Sequence, residues 1–108
     1  MDAEQGSRFD LASLFERIQE RLRKNNPEIS YVARLNQAGD DAVLRKIGEE
    51  SIELLLAAKS GERSAMIHEL ADLQFHLLVW MAQAGLTLAD LEGELARRAN
   101  SAGKNSHS

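Results

Sequence analysis

The residues best able to do chemistry are five carboxylates in two short sets, Glu49, Glu50 and Glu53 in KIGEESIE and Glu69 and Asp72 in HELADLQFH. Spacings of three and four put each set on one side of a helix, where like charges repel by roughly a few tenths of a kcal/mol per exposed pair and by more as water is lost. Something positive must offset them. Oxygen donors without thiolates suit a hard cation, and Mg²⁺ characteristically keeps waters and takes substrate phosphates as further ligands. Either set alone reads as an ordinary charged helix face, balanced by Lys46. Two sets on neighbouring helices, each bordered by apolar residues, read instead as a Mg²⁺–phosphate site. His76 continues the line of Glu69 and Asp72, either as a packed, hydrogen-bonded neighbour of the carboxylates or as a group that meets substrate. His68 falls off that line and reads as surface.

The elements that must position these groups follow from apolar periodicity. Repeats at three and four, one proline and few β-branched runs indicate an all-α chain. A first helix is expected from about Phe9 to Lys24, stopped ahead of Pro27. Ser30 caps a short turn of helix, Tyr31 to Ala38. Asp40 or Asp41 caps a long helix to about Ser60, Gly61 breaks it, and Ser64 caps a second long helix to Ala84. Thr87 caps a last helix from Leu88 to about Arg98. Residues 100–108 read as a disordered polar tail behind a single domain of residues 1–99.

On the first long helix Val43, Leu44, Ile47, Leu54, Leu55 and Ala58 form a broad apolar sector expected in the core. Lys46, Glu49, Glu50 and Glu53 share a narrower wedge. The link to the second long helix is so short that the two must be antiparallel neighbours, which sets Glu50 and Glu53 opposite Glu69 and Asp72. The second long helix is apolar on nearly all sides except its acidic line. Four helices from one short chain cannot readily enclose it, so the expected architecture is an antiparallel bundle completed by a twofold partner, a homodimer or dimer-based assembly.

Composition narrows the function further. The chain has 108 residues, enough for one core, and no cysteine, which removes zinc ribbons, redox pairs and thiol nucleophiles. Its longest apolar run, Leu77 to Ala82, is far short of the ~20 residues that span a bilayer, and the N-terminus lacks a secretory pattern. A soluble, cytoplasmic protein is expected. A net charge of -4 lacks the basic footprint of a nucleic-acid binder, so a phosphate-bearing ligand needs a bridging cation.

The order SYVARL, KIGEESIE, HELADLQFHLLV resembles the phosphoribosyl-ATP pyrophosphatases, part of the MazG-like all-α nucleotide pyrophosphatases, over roughly Phe9 to Arg98. The resemblance implies that the EExxE and ExxD residues, Glu49, Glu50, Glu53, Glu69 and Asp72, carry Mg²⁺. It also matches Ser30 and Tyr31 to the family's S-Y-x-x-x-L segment, with Arg34 nearby, and Lys46 to its lysine ahead of the acidic pair. The family often has tyrosine where Phe75 stands here. The implied reaction is hydrolysis of phosphoribosyl-ATP to phosphoribosyl-AMP and pyrophosphate, the second step of histidine biosynthesis. Glu49 or Glu53 would serve as base, with Lys46 and Arg34 on phosphate oxygens and His76 beside the substrate. The alternatives are a housecleaning nucleoside triphosphate pyrophosphatase of the same superfamily, which would share the metal site, and a non-enzymatic helical interaction module, whose acidic wedge would bind no metal.

Overall fold

The computed structural model describes residues 9–105, which form five helices and, among the described residues, no strand. Helix α1 spans Leu11–Lys24, α2 Tyr31–Gln37, α3 Asp40–Ser60, α4 Arg63–Ala84 and α5 Leu88–Asn105. The all-α expectation is met.

Caps explain most boundaries, and not always the expected ones. Asp10 starts α1 through a reciprocal pair in which its carboxylate accepts from the Ser13 N–H at 2.9 Å and the Ser13 hydroxyl accepts from the Asp10 N–H. Phe9 therefore lies outside that helix. Asp40 and Asp41 do not cap α3; they sit inside its first turn behind Gly39, where negative charge still favours the helix dipole. Ser64 likewise lies within α4, which starts from Glu62 without a side-chain cap. Thr87 does cap α5, accepting from the Asp90 N–H at 3.1 Å while the Asp90 carboxylate accepts from the Thr87 N–H at 2.9 Å. That helix runs past Arg98 to Asn105, through much of the expected tail, and residues 106–108 lie outside the described residues.

The core is built by α1, α2, α3 and α4 around Phe15, Ile18, Val32, Val43, Leu78 and Val79. Ile18 and Phe15 are one turn apart on α1, and Leu78 and Val79 cross under them from α4. Gly61, at φ 75°, ends α3 in the left-handed region that glycine adopts without strain, and one further residue suffices to reverse the chain. Hence α3 and α4 pack antiparallel along their lengths, the arrangement that brings the two acidic sets together.

The expected core sector of α3 is only partly buried. Val43 is fully buried, but Leu44 and Leu55 are 46% and 65% exposed. Ile52, Leu56, Ile67 and Leu70 also keep more than half their surface in water. Helical periodicity reports that these residues share a side, not that this chain covers it.

Candidate metal and phosphate site

The candidate residues lie on three helices: α2 carries Tyr31 and Arg34, α3 carries Lys46, Glu49, Glu50 and Glu53, and α4 carries Glu69, Asp72 and His76.

Glu53 and Glu69 are close enough across the α3–α4 seam to share a hydrogen when one is protonated, and Asp72 stands one turn from Glu69. Desolvation, then the Glu53 charge, raise the Glu69 carboxyl above its ordinary 4.5. Its Oε1 is buried without a hydrogen-bond partner. An orphaned, partly desolvated carboxylate oxygen among other carboxylates fits a hard cation, which would satisfy the oxygen and cancel the repulsion together. Ligand atoms of His68, Glu69 and Asp72 lie within 4.8 Å of one another. His68, read from sequence as mere surface, is exposed yet places Nε2 at 3.3 Å from Asp72 Oδ2. Its i, i+4 spacing to Asp72 was the available signal.

One turn deeper, Glu50 and His76 are both buried, and Glu50 Oε1 lies 2.7 Å from His76 Nδ1. The same Nδ1 is 3.0 Å from the Asp72 carbonyl, and Nε2 is 2.8 Å from the Tyr31 hydroxyl. His76 is thus a packed neighbour of the carboxylates, with both ring nitrogens engaged. Phe75 packs beside this chain, its ring 6.1 Å from that of Tyr31 and 5.3 Å from that of His76. It fills space next to the tyrosine, a task that needs no hydroxyl.

The opposite side of the site is cationic. Burial holds the Tyr31 hydroxyl above its usual 10.0, partly countered by the Lys46 charge and then by Arg34. Lys46 is half-buried, and the Arg34 guanidinium lies 5.9 Å from the Tyr31 ring centre while donating to the Pro27 carbonyl. Ser30 is 2% exposed, and its hydroxyl accepts from the Ala33 N–H at 3.1 Å, so it starts α2 and thereby fixes Tyr31. Glu49 is exposed. Gly48, beside it, is also exposed, and a methyl there would meet nothing of this chain within 4 Å.

Carboxylates facing a lysine and an arginine across one tyrosine can hold a metal and an anionic ligand side by side. The sequence pattern of the phosphoribosyl-ATP pyrophosphohydrolase family matches residues 11–99, nearly the whole described chain. The chain belongs to this family. Among relatives of the phosphoribosyl-ATP pyrophosphohydrolases, the phosphoribosyl-ATP pyrophosphatase of Pelotomaculum thermopropionicum is 45% identical over 93 residues, which are 86% of this chain and 94% of that protein. That of Methylibium petroleiphilum is 49% identical over 84 residues, 78% of this chain and 70% of the relative. A histidine biosynthesis bifunctional protein of Thermus thermophilus is 46% identical over 98 residues, and the match takes up 45% of its length.

The acidic seam gives a first expected result. Because the folded Glu69 carboxyl binds its proton more tightly than the unfolded one, metal-free stability should fall as pH rises from the ordinary carboxyl value through the raised one. Above that window the penalty is full. Glu69→Gln should therefore melt at or above the parent in chelator at neutral pH, with the difference narrowing on acidification. Thermal unfolding of both proteins from pH 4 to 8 checks this; a variant uniformly less stable at every pH contradicts it.

Proposed function

We propose that this chain hydrolyses phosphoribosyl-ATP to phosphoribosyl-AMP and pyrophosphate, the second step of histidine biosynthesis, with Mg²⁺ held by Glu53, Glu69 and Asp72 and joined by Glu49 and Glu50. The buried, unpartnered Oε1 of Glu69 carries the metal assignment. Oxygen donors favour Mg²⁺ over softer ions. When bound, the ion supplies neutralisation of the polyphosphate and polarisation of the phosphorus under attack.

The chain's own residues do the rest. Lys46 holds phosphate oxygens as a point charge, and Arg34 adds a second cation on the Tyr31 side. Water attacks phosphorus, a new O–P bond forms, the bridging P–O bond breaks, and the electron pair leaves with pyrophosphate. The water's proton passes to Glu49 or Glu53; Glu50 is already engaged by His76. Loss of Lys46 removes one charge-assisted contact, so Lys46→Ala should raise KM for phosphoribosyl-ATP by about 10-fold or more, with little change in melting temperature. An unchanged KM would reduce Lys46 to a surface ion-pair partner of the glutamates.

We further read the protein as a homodimer working in the cytoplasm. No helix among the described residues is long and apolar enough to cross a membrane. Ile52, Leu55 and Leu56 on α3 and Ile67 and Leu70 on α4 keep more than half their surface in water, the apolar side that a second copy would cover.

A substrate panel tests the function. Pyrophosphate release should be much faster from phosphoribosyl-ATP than from ATP or deoxynucleoside triphosphates at equal concentration. Equal or faster release from the ordinary nucleotides would make the chain a general nucleotide pyrophosphatase, and no release from any would leave a non-enzymatic helical module.

A further inference from the structure

His76 has no ring atom left for substrate. Nδ1 faces two acceptors, the Glu50 carboxylate at 2.7 Å and the Asp72 carbonyl at 3.0 Å, so the hydrogen of the neutral ring belongs there. In that neutral form Nε2 is a lone-pair acceptor, and the Tyr31 hydroxyl 2.8 Å away donates to it. The ring itself is 5% exposed and wedged against Phe75 and Tyr31, so it cannot turn to exchange these partners. Two consequences follow at the surface of the cleft. Glu50 has one oxygen fixed by the imidazole and only the other to offer. The Tyr31 hydroxyl has spent its hydrogen and can only accept, with the Lys46 and Arg34 charges near enough to act on it.

We propose that His76 is a positioning residue that, as the Nδ1–H tautomer, joins Glu50 on the metal side of the cleft to Tyr31 on the cationic side, setting the direction of both. Its Nδ1 arm orients a carboxylate, as outer hydrogen bonds do for metal-binding carboxylates generally. Its Nε2 arm turns the Tyr31 lone pairs outward, where they steady the Lys46 ammonium for phosphate rather than touching phosphate directly. Ser30 serves the same arrangement one step back by capping the helix that carries Tyr31.

The inference rests on the metal and phosphate reading of the cleft, and the two arms can be separated from it and from each other. An asparagine amide nitrogen falls close to the position of Nδ1, and a glutamine amide oxygen can fall close to that of Nε2. His76→Asn should therefore keep the Glu50 bond and lose Tyr31. Its Mg²⁺-dependent rise in melting temperature should match the parent's, while KM rises as much as in Tyr31→Phe, and combining the two changes should add nothing further. His76→Gln should keep Tyr31 and release Glu50, moving the midpoint of the Mg²⁺-dependent melting shift to roughly 10- to 100-fold higher metal concentration. ¹⁵N spectra of the metal-free parent should show the hydrogen on Nδ1 and a hydrogen-bonded, unprotonated Nε2.

A ring protonated on Nε2 alone, additive effects of Tyr31→Phe and His76→Asn, or identical behaviour of the two His76 variants would overturn the inference. If instead the parent neither responds to Mg²⁺ nor turns over phosphoribosyl-ATP, the metal and substrate reading has failed. The tautomer and the Tyr31 hydrogen bond are still decided by the ¹⁵N spectra, which need neither metal nor substrate. Should either His76 variant fail to fold, Tyr31→Phe and the parent spectra remain decisive.

Discussion

Replacing Asp72 with asparagine is expected to lower turnover of phosphoribosyl-ATP by roughly 100- to 1000-fold, the scale on which a single preorganised electrostatic group contributes to a reaction site. The change keeps the side chain's shape, and Asp72 is 42% exposed, so the packing of Leu73, Phe75 and Val79 on the same helix should survive. In chelator the variant should melt no lower than the parent, because one charge has been removed from the Glu53, Glu69 and Asp72 cluster. In millimolar Mg²⁺ the order should reverse. A ligand that binds only the folded state stabilises it in proportion to ln(1 + [L]/Kd), and the variant binds that ligand weakly. Turnover near the parent's, with an intact Mg²⁺-dependent melting shift, would show that Asp72 belongs to a solvated face.

A comparably large effect is expected from splitting the proposed dimer. Leu55 and Leu56 are each 65% exposed, Leu70 is 55% exposed, and Ile52 and Ile67 extend the same apolar side. Each such side chain gains roughly 1.5 to 3 kcal/mol when fully buried, so several of them together supply a strong drive to associate. The parent should sediment at twice the 12.0 kDa chain mass at micromolar concentration. Leu56→Glu combined with Leu70→Glu should sediment as a single chain. Glu53 and Glu69 adjoin this apolar surface in sequence, at Ile52 and Leu70, so activity should be lost together with association. A parent that is a fully active monomer would contradict the assignment of this face.

The spacing of the carboxylates was legible because a helix turns about once in 3.6 residues, and the brevity of the Gly61 link fixed which helices had to meet. What spacing could not supply was a partner in three dimensions. Glu50 and Glu53 look equivalent in EExxE, yet Glu50 is buried against His76 whereas Glu53 faces Glu69. Tyr31 was singled out only through resemblance, since its link to His76 spans 45 positions of sequence. Ser30 was right as a cap, and that role accounts for its burial. Leu44 and Leu55 were placed in the core because periodicity marks an apolar side but not what covers it. The last helix outran Arg98 because small polar residues after it permit helix even though none of them demands it.

The most direct test is to follow phosphoribosyl-ATP and its products through one sequence of additions to the purified chain, with Mg²⁺ present, then excess chelator, then Mg²⁺ restored. The expected result is one pyrophosphate for each phosphoribosyl-AMP, arrest on chelation and full recovery with the metal. Release of orthophosphate, turnover indifferent to chelator, or no turnover in any of the three states would contradict the proposal that this chain, with a metal held by its carboxylates, hydrolyses the substrate between its α- and β-phosphates.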